Sequence, residues 1–345
     1  MRCIKCVLPE HKPDIWMNAD GVCNICSDFE RAKKLKESRA LLLESDLVNI
    51  LDKYRAKYKY DCLVMCSGGK DSTASLYYVK NRYKLNPLAF TFDHGFETED
   101  AIENVKNAVG ALGVEWLFFK SDFMKEMFAE VIKKKSHAVI CHLCSIWYMQ
   151  LTYEIAANFN IPIIIAGWTK GQATVQTVLT KCACDIGALE YQSMAGETMD
   201  FLDNYLQDIP KYRNFPRRME EIIIASQKRH RTIVLSPHWF LQKSQEEYVE
   251  IITKELKWKY PRLSYPKKST NCYLNFVSAY LTMNYYGYTH YHVEMSKMIR
   301  LGMLTRQEAL SMLQMDFDRE LLDSILKNLD CRIDDLPAQQ GLAQC

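Results

Sequence analysis

The chain has 345 residues, and its 44 Lys and Arg against 42 Asp and Glu give a formal net charge of +2. Hydrophobic residues make up 48% of the sequence and charged residues 25%, which is typical of globular proteins and excludes a disordered or collagen-like chain. The near-neutral balance also argues against a protein that coats nucleic acid, so any anion site must be local. At about 100–200 residues per domain, the length predicts two domains.

The sequence predicts a cytoplasmic protein without a membrane segment. No apolar run approaches the roughly 20 residues that a membrane-spanning helix needs, and the first residues lack the apolar stretch of a signal peptide. In a reducing compartment, pairs among the 13 cysteines are expected to bind metal or carry redox chemistry before they form disulfides.

Residues 1–30 are predicted to form a small metal-binding module. Cys3, Cys6, Cys23 and Cys26 make two CxxC pairs, which present four thiolates to one tetrahedral ion. Four protein ligands leave no open coordination position, so a structural Zn²⁺ is predicted. A basic, helix-favouring segment follows, and residues 31–58 are predicted to be a linking helix.

From residue 59 the pattern alternates between strand and helix. Short apolar runs at 62–66, 88–92, 116–119 and 161–166 are separated by segments with helical spacing. This alternation predicts an α/β fold with a doubly wound, mostly parallel sheet over residues 59–184. Ligands of such sheets lie beyond the carboxyl ends of the strands. Residues 185–345 are predicted to be a mainly helical substrate-binding region.

The first strand is followed by Ser67-Gly68-Gly69-Lys70-Asp71-Ser72, a phosphate-binding pattern that we call the phosphate loop. Glycines let the backbone approach an anion closely, and the start of the next helix supplies N–H groups. Hydroxyls and Lys70 add further donors. Asp71 would be a poor phosphate contact and suits Mg²⁺ coordination or orientation of the loop.

The phosphate loop resembles the SGGKDS motif of PP-loop ATP pyrophosphatases. This resemblance implies that ATP adenylylates a substrate oxygen, pyrophosphate leaves, and a nucleophile then displaces AMP, with Lys70 and Asp71 in catalysis. It also implies that Thr91, Phe92 and Asp93 border the adenine and ribose. Asp93 alternatively binds Mg²⁺ or is an ordinary strand exit. Gly167 opens the second nucleotide-contacting segment, although the GHNxDD-like sequence common there in the family is missing.

A third CxxC, Cys141 and Cys144, precedes a predicted helix, and Cys272 lies far along the chain. Three thiolates can hold a [4Fe–4S] cluster and leave one iron open. The alternatives are a sulfur-carrying pair, a second zinc site, or simple packing. Cys182 and Cys184 form a weaker pair.

Four segments together resemble the N-acetyl sugar amidotransferases of bacterial surface-polysaccharide synthesis. The segments are residues 3–9, 21–26, 60–72 and 271–306. The resemblance implies replacement of an N-acetyl oxygen by nitrogen on a sugar nucleotide, with ammonia from a partner glutaminase. The family pattern includes Cys144 and Cys272 but not Cys141. That departure favours the alternative, a sulfur transferase acting on tRNA or a small heterocycle through a cluster on the three cysteines.

Two further hypotheses are weaker. A non-enzymatic zinc adaptor that has kept a nucleotide fold would not need an intact phosphate loop. Basic segments with aromatic residues at 211–213, 216–218, 228–231 and 257–262 fit either RNA or the diphosphate of a nucleotide sugar. RNA is the less favoured partner, because such segments are usually solvated helix faces.

Overall fold

A computed structural model of the chain describes residues 1–35, 42–172, 189–207, 209–229, 232–267, 272–315 and 318–337. Within these ranges no helix is both long and apolar enough to cross a bilayer.

The centre of the molecule is a parallel sheet of five strands. They are β1 (Cys62–Met65), β2 (Pro87–Asp93), β3 (Glu115–Lys120), β4 (Ile163–Ile165) and β5 (Ile233–Leu235). Their order across the sheet is β3-β2-β1-β4-β5, and Leu63 of β1 pairs with both Leu88 and Ile164. Residues of β1, β2 and β4 are all buried, which explains their continuous apolar runs. The predicted doubly wound sheet is confirmed.

The direction of the crossover connections determines which face of the sheet each helix covers. The helices of this part of the chain are α1 (Asn24–Leu35), α2 (Glu44–Asp52), α3 (Lys70–Tyr77), α4 (Glu99–Leu112), α5 (Lys125–Lys133) and α6 (Ile140–Asn158). The chain runs outward from β1 to β3 through α3 and α4, and returns through α6 to β4 on the other side of β1. Because parallel crossovers are right-handed, the two sets of helices cover opposite faces.

The second half of the chain is mainly helical, as predicted. Its helices are α7 (Gln192–Tyr205), α8 (Met219–Arg229), α9 (Gln245–Leu256), α10 (Leu274–Tyr286), α11 (His290–Arg300), α12 (Arg306–Met312) and α13 (Arg319–Asn328). It also contributes β5, which the sequence had not separated from the helical region. The three residues of β5 form too short an apolar run to be recognised as a strand from the sequence. The sheet therefore extends beyond residue 184.

Two local expectations change in the structure. The predicted linking helix over 31–58 corresponds to the end of α1 and to α2, with residues 36–41 outside the described ranges. The CxxC of Cys141 and Cys144 lies inside α6 rather than before it, because the helix begins at Ile140.

The N-terminal module packs against the C-terminal helices. The guanidinium of Arg306 donates to the carbonyl oxygens of Cys3 at 3.3 Å and Cys6 at 3.0 Å. The amide of Val7 donates to Ser296 Oγ at 3.3 Å. Buried side chains of the module share one apolar cluster with residues such as Tyr288. The module is thus joined to α11 and α12.

Candidate functional site

The phosphate loop lies at the carboxyl end of β1, between β2 and β4. The strand order reverses direction there, so the sheet leaves a crevice, the usual ligand position in such folds. A cavity of about 170 Å³ occupies this position. It is lined by Met65, Ser67, Gly69, Asp71, Ser72, Tyr148, Ala166, Gly167, Trp168, Gln172 and Tyr291.

Two glycines are required by close packing around the loop. Gly68 has a φ of +77°, and a Cβ there would overlap the carbonyl oxygen of Ala101 on α4. A Cβ on Gly167 would lie 2.5 Å from the backbone nitrogen of Ser72. The loop is therefore held between α4 on one side and the segment after β4 on the other.

The start of α3 is arranged as an anion-binding helix terminus. Gly69 is its N-cap and offers no side-chain acceptor to the first amides. The hydroxyls of Ser67 and Ser72 lie 3.1 Å apart, and the Ser72 hydroxyl donates to the Gly69 carbonyl at 3.1 Å. These bonds fix the loop, and the helix dipole favours negative charge at this end.

Lys70 and Asp71 form an ion pair at the base of the loop. Lys70 Nζ lies 2.9 Å from Asp71 Oδ2. The lysine is buried, and Asp71 is one of the residues that line the cavity. Burial favours the neutral amine, yet the carboxylate of Asp71 raises the pKa of Lys70 above its ordinary value. Burial likewise disfavours the carboxylate, but Lys70 and then His238 lower the pKa of Asp71. Both groups are therefore charged at neutral pH.

Residues from the second half of the chain complete the loop, and the sequence analysis did not identify them as site residues. The hydroxyl of Tyr248 on α9 donates to Asp71 Oδ1. His238 Nε2 lies 2.9 Å from the Asp71 carbonyl oxygen. Trp258 Nε1 donates to the Gly68 carbonyl at 2.9 Å. Trp258 stands in one of the basic aromatic segments, which was the one sequence feature that pointed towards it.

Glu294 of α11 was also missed, because nothing around it in sequence suggests a nucleotide site. Its carboxylate accepts from Thr169 Oγ1 at 3.0 Å and from Gln172 Nε2 at 3.3 Å. Burial raises the pKa of Glu294, and the positive charge of Lys70 acts in the opposite direction. The C-terminal region thus holds the segment that follows β4.

The predicted residues at the end of β2 are buried beside the phosphate loop. Thr91 Oγ1 donates to the Cys66 carbonyl at 2.6 Å and accepts from Trp116 Nε1 at 3.0 Å. Phe92 is buried. Asp93 Oδ1 accepts from the Gly95 amide at 2.7 Å, and its carboxylate pairs with Lys120 at 3.3 Å. These side chains brace the strand end, and their contact with a nucleotide stays a prediction.

The four N-terminal cysteines form one buried group. The sulfur atoms of Cys3, Cys6, Cys23 and Cys26 all lie within 4.8 Å of one another. The amide of Cys23 donates to Cys3 Sγ at 3.3 Å. Four convergent thiols of this kind fit a tetrahedral metal ion, which would take all four as thiolates.

The other predicted cysteines lie on α6 and near the carboxyl end of β2. The Cys141 thiol donates to Asn275 Oδ1 at 3.7 Å, three residues beyond Cys272. Cys272 forms an isolated antiparallel bridge with Glu97, and its sulfur lies 3.5 Å from His94 Nε2. Burial is the main cause that raises the pKa of the Cys272 thiol, and the charges of Glu97, Cys144 and Cys141 add to it. The three thiols therefore occupy one region. Cys182 and Cys184 lie outside the described residues.

The fold and the loop together define a class of protein. A glycine-rich SGGKDS loop at the switch point of a parallel 3-2-1-4-5 sheet, with a buried Lys70 at the helix start, is the arrangement of a PP-loop ATP pyrophosphatase-type enzyme.

Comparison with known families agrees with this class. Residues 61–189 match the model of the queuosine biosynthesis protein QueC, and residues 270–338 match the C-terminal domain of WbpG-like LPS biosynthesis proteins. These two matches confirm the resemblance seen in the sequence, one for the phosphate-loop region and one for the C-terminal region.

Individual relatives are more distant. The chain is 24% identical over 311 residues to the uncharacterized protein MJ1599 of Methanocaldococcus jannaschii, covering 90% of this chain and 91% of that protein. The U34-tRNA thiolase NcsA of Methanococcus maripaludis, solved with its [4Fe–4S] cluster, has a TM-score of 0.36 and 15% identity over 88% of this chain and 86% of its own. The NH₃-dependent NAD synthetase of Campylobacter jejuni has a TM-score of 0.30 and 16% identity over 54% of this chain and 91% of its own. Neither structural likeness supports a statement about activity.

Proposed function

We propose that this protein is an ATP-dependent amidotransferase that converts the N-acetyl group of a nucleotide-linked sugar into an acetamidino group. One observation carries the proposal. Tyr291, which lies in the WbpG-like segment, lines the same cavity as Asp71 and Ser72 of the phosphate loop. The WbpG-like segment and the phosphate loop therefore share one cavity, which supports a common reaction chamber for the sugar and ATP.

In the first step the acetamide oxygen attacks the α-phosphorus of ATP, and the bond to the β-phosphate oxygen breaks. Negative charge gathers on the leaving pyrophosphate. The amides at the start of α3 and the ammonium of Lys70 face this charge, and such preorganised donors are usually the largest catalytic contribution. Asp71 lines the cavity, and its carboxylate would hold Mg²⁺, which would further neutralise the phosphate oxygens.

In the second step ammonia attacks the imidate carbon. The carbon–oxygen bond to AMP breaks, AMP leaves, and the attacking nitrogen loses a proton to give the acetamidino group. The ammonia is proposed to come from a partner glutaminase in the cytoplasm. We assign the four N-terminal cysteines to a structural Zn²⁺, residues 59–184 to ATP binding and residues 185–345 mainly to the sugar.

The direct test supplies the protein with ATP, Mg²⁺, an ammonium salt and a series of N-acetylated sugar nucleotides. Pyrophosphate and AMP are expected in equal amounts, with a product whose mass shows exchange of one oxygen for NH. Pyrophosphate release without that product for any sugar would contradict the proposed substrate. Absence of ATP cleavage under every condition would instead favour the zinc adaptor.

The grouping of Cys141, Cys144 and Cys272 favours one second candidate, a sulfur transferase. Two of the thiols lie one turn apart on α6, and Cys141 contacts Asn275, three residues after Cys272 in the C-terminal region. Such a set suits an iron–sulfur cluster, which would supply sulfide to an activated carbon. Iron and acid-labile sulfide in anaerobically purified protein, lost in Cys144→Ala, would favour this candidate over amidation.

A further inference from the structure

We propose that His94, Glu97 and Cys272 form a mononuclear binding site for a divalent metal ion of the zinc class, separate from the N-terminal cysteines. One donor atom from each of these three side chains lies within 4.8 Å of the other two. Nitrogen, carboxylate oxygen and thiolate sulfur are the donors that zinc takes in proteins. The site does not depend on the proposed reaction.

The spacing of the donors fits a tetrahedral ion. Zinc–nitrogen and zinc–sulfur bonds of about 2.0 and 2.3 Å at the tetrahedral angle place nitrogen and sulfur about 3.5 Å apart. His94 Nε2 and Cys272 Sγ lie 3.5 Å apart. Two oxygen or nitrogen donors at the same angle would be about 3.3 Å apart, and Glu97 Oε1 lies 3.8 Å from His94 Nε2. A small movement of the Glu97 side chain closes the site.

The backbone fixes all three ligands in place. Asp93 Oδ1 accepts from the amides of Gly95 at 2.7 Å and Glu97 at 3.4 Å, which holds the turn that carries His94. The bridge between Glu97 and Cys272 and the 2.8 Å bond from the Tyr273 amide to the Phe96 carbonyl attach the third ligand. Preorganised ligands of this kind lower the cost of binding an ion.

The surroundings favour a bound cation over separate side chains. The His94 ring packs near the rings of Phe92, Phe96 and Phe128, with centroids 5.8–5.9 Å away. The side chains of His94 and Glu97 are only 4% and 9% exposed. Side chains this deeply buried keep bulk water away from the donors, so a divalent ion would interact with them in a low dielectric.

Phe92 and Tyr148 connect the site to the cavity beside the phosphate loop. His94 contacts Phe92, and the Phe92 ring lies 6.1 Å from the ring of Tyr148, which lines the cavity. Three protein ligands leave one coordination position for water or a substrate atom, the pattern of catalytic rather than structural zinc. Cys272 cannot bind this ion and an iron–sulfur cluster at the same time. Cys144 would bind the cluster but not this ion, so a variant at Cys144 distinguishes the two sites.

The test measures zinc, iron and sulfide in the full-length protein after incubation with Zn²⁺ alone and removal of the excess. His94→Ala and Cys272→Ser should each bind one equivalent of zinc fewer than the wild type. Cys144→Ala, the matched control, should bind as much as the wild type. Equal zinc in wild type and His94→Ala would overturn the proposal, as would iron and sulfide that disappear in Cys144→Ala.

A second measurement covers the case in which His94→Ala fails to fold. Glu97→Gln keeps the shape of the side chain and should weaken zinc binding by at least about tenfold, with an unchanged thermal unfolding curve for the metal-free forms. After Co²⁺ substitution, the difference spectrum between wild type and Glu97→Gln should show tetrahedral d–d bands with one thiolate charge-transfer band. A featureless difference spectrum would reject the site.

Discussion

The chemistry of the phosphate loop depends on one buried charged pair. Lys70 has the carboxylate of Asp71 at 2.9 Å, and Asp71 in turn receives the Tyr248 hydroxyl. The pair keeps a positive charge at the start of α3 without leaving it unpaired, and unpaired buried charges are strongly destabilising. Binding of a phosphate chain would give Lys70 a second anionic partner.

Replacing Lys70 by methionine should therefore remove most of the activity while keeping the volume of the side chain. We expect ATP-dependent pyrophosphate release to fall at least about 100-fold, the usual effect of losing one donor to developing charge. Lys106→Met on the exposed face of α4 is the control and should retain activity. Comparable rates in the two variants would contradict the role assigned to Lys70.

The same pair gives a pH prediction. The pKa of Asp71 is lowered, so its stabilising contribution is complete above the ordinary aspartate value and is lost as pH falls through the lowered one. The pKa of Lys70 is raised, so its contribution is complete below the ordinary lysine value and is lost as pH rises through the raised one. The difference in unfolding free energy between wild type and the double variant Lys70→Met/Asp71→Asn, which lacks both titrating groups, should thus stay constant from about pH 5 to about pH 9. Denaturant unfolding across this range would measure it, and a step near pH 7 would contradict it.

At the scale of elements, the site depends on how closely β1, α3 and α4 approach. Gly68 combines a left-handed φ with contact to the Ala101 backbone, and its carbonyl accepts from Trp258. A side chain at position 68 could not be accommodated by moving one flexible neighbour, because the obstructing atom belongs to the backbone of α4. The loop and α4 are therefore one packed unit.

Gly68→Ala is expected to destabilise the fold by more than about 2 kcal/mol, because left-handed backbone strain and overlap add. Gly110 lies within α4 itself and faces open space, so Gly110→Ala should instead stabilise the fold by about 0.5–1 kcal/mol. Chemical denaturation of the two variants would measure both changes in the free energy of unfolding. If Gly68→Ala were as stable as the wild type, the packing of loop against α4 would be refuted.

At the scale of the whole molecule, the N-terminal cysteine group supports helices from the other end of the chain. Arg306 bonds the carbonyls of Cys3 and Cys6, and Val7 bonds Ser296 of α11. The same helix α11 presents Glu294 to the segment after β4. A metal ion in the N-terminal group would therefore stabilise the nucleotide site from a distance.

Cys23→Ser should lower the melting temperature by at least about 5 °C, because loss of a structural metal unfolds the module that α11 and α12 pack against. A strong chelator should lower the melting temperature of the wild type more than that of the variant, because the variant has already lost the N-terminal metal. Cys62→Ala, a buried thiol in β1, is the control and should stay chelator-sensitive. If the chelator left the melting temperature of the wild type unchanged, the proposal of a structural metal would be contradicted.

The sequence by itself determined the parallel sheet, the phosphate loop and the four-cysteine group. Each of these features is encoded by short contiguous segments. Strand alternation, a glycine turn before a helix and a CxxC pair each determine the local backbone geometry over a few residues. The class of enzyme followed from the same short segments, which is why it was confirmed.

Only the tertiary structure decided which distant residues join the site. Tyr248 and His238 reach the phosphate loop from more than 150 residues away, and Glu294 bonds the segment after β4 from 125 residues away. A single backbone bridge between Glu97 and Cys272 brings Cys272 close to His94. No local spacing records these meetings, because they depend on how α9 and α11 pack on the sheet. Short-range geometry is encoded by neighbours in sequence, whereas the assembly of a cleft depends on the burial of whole faces of helices.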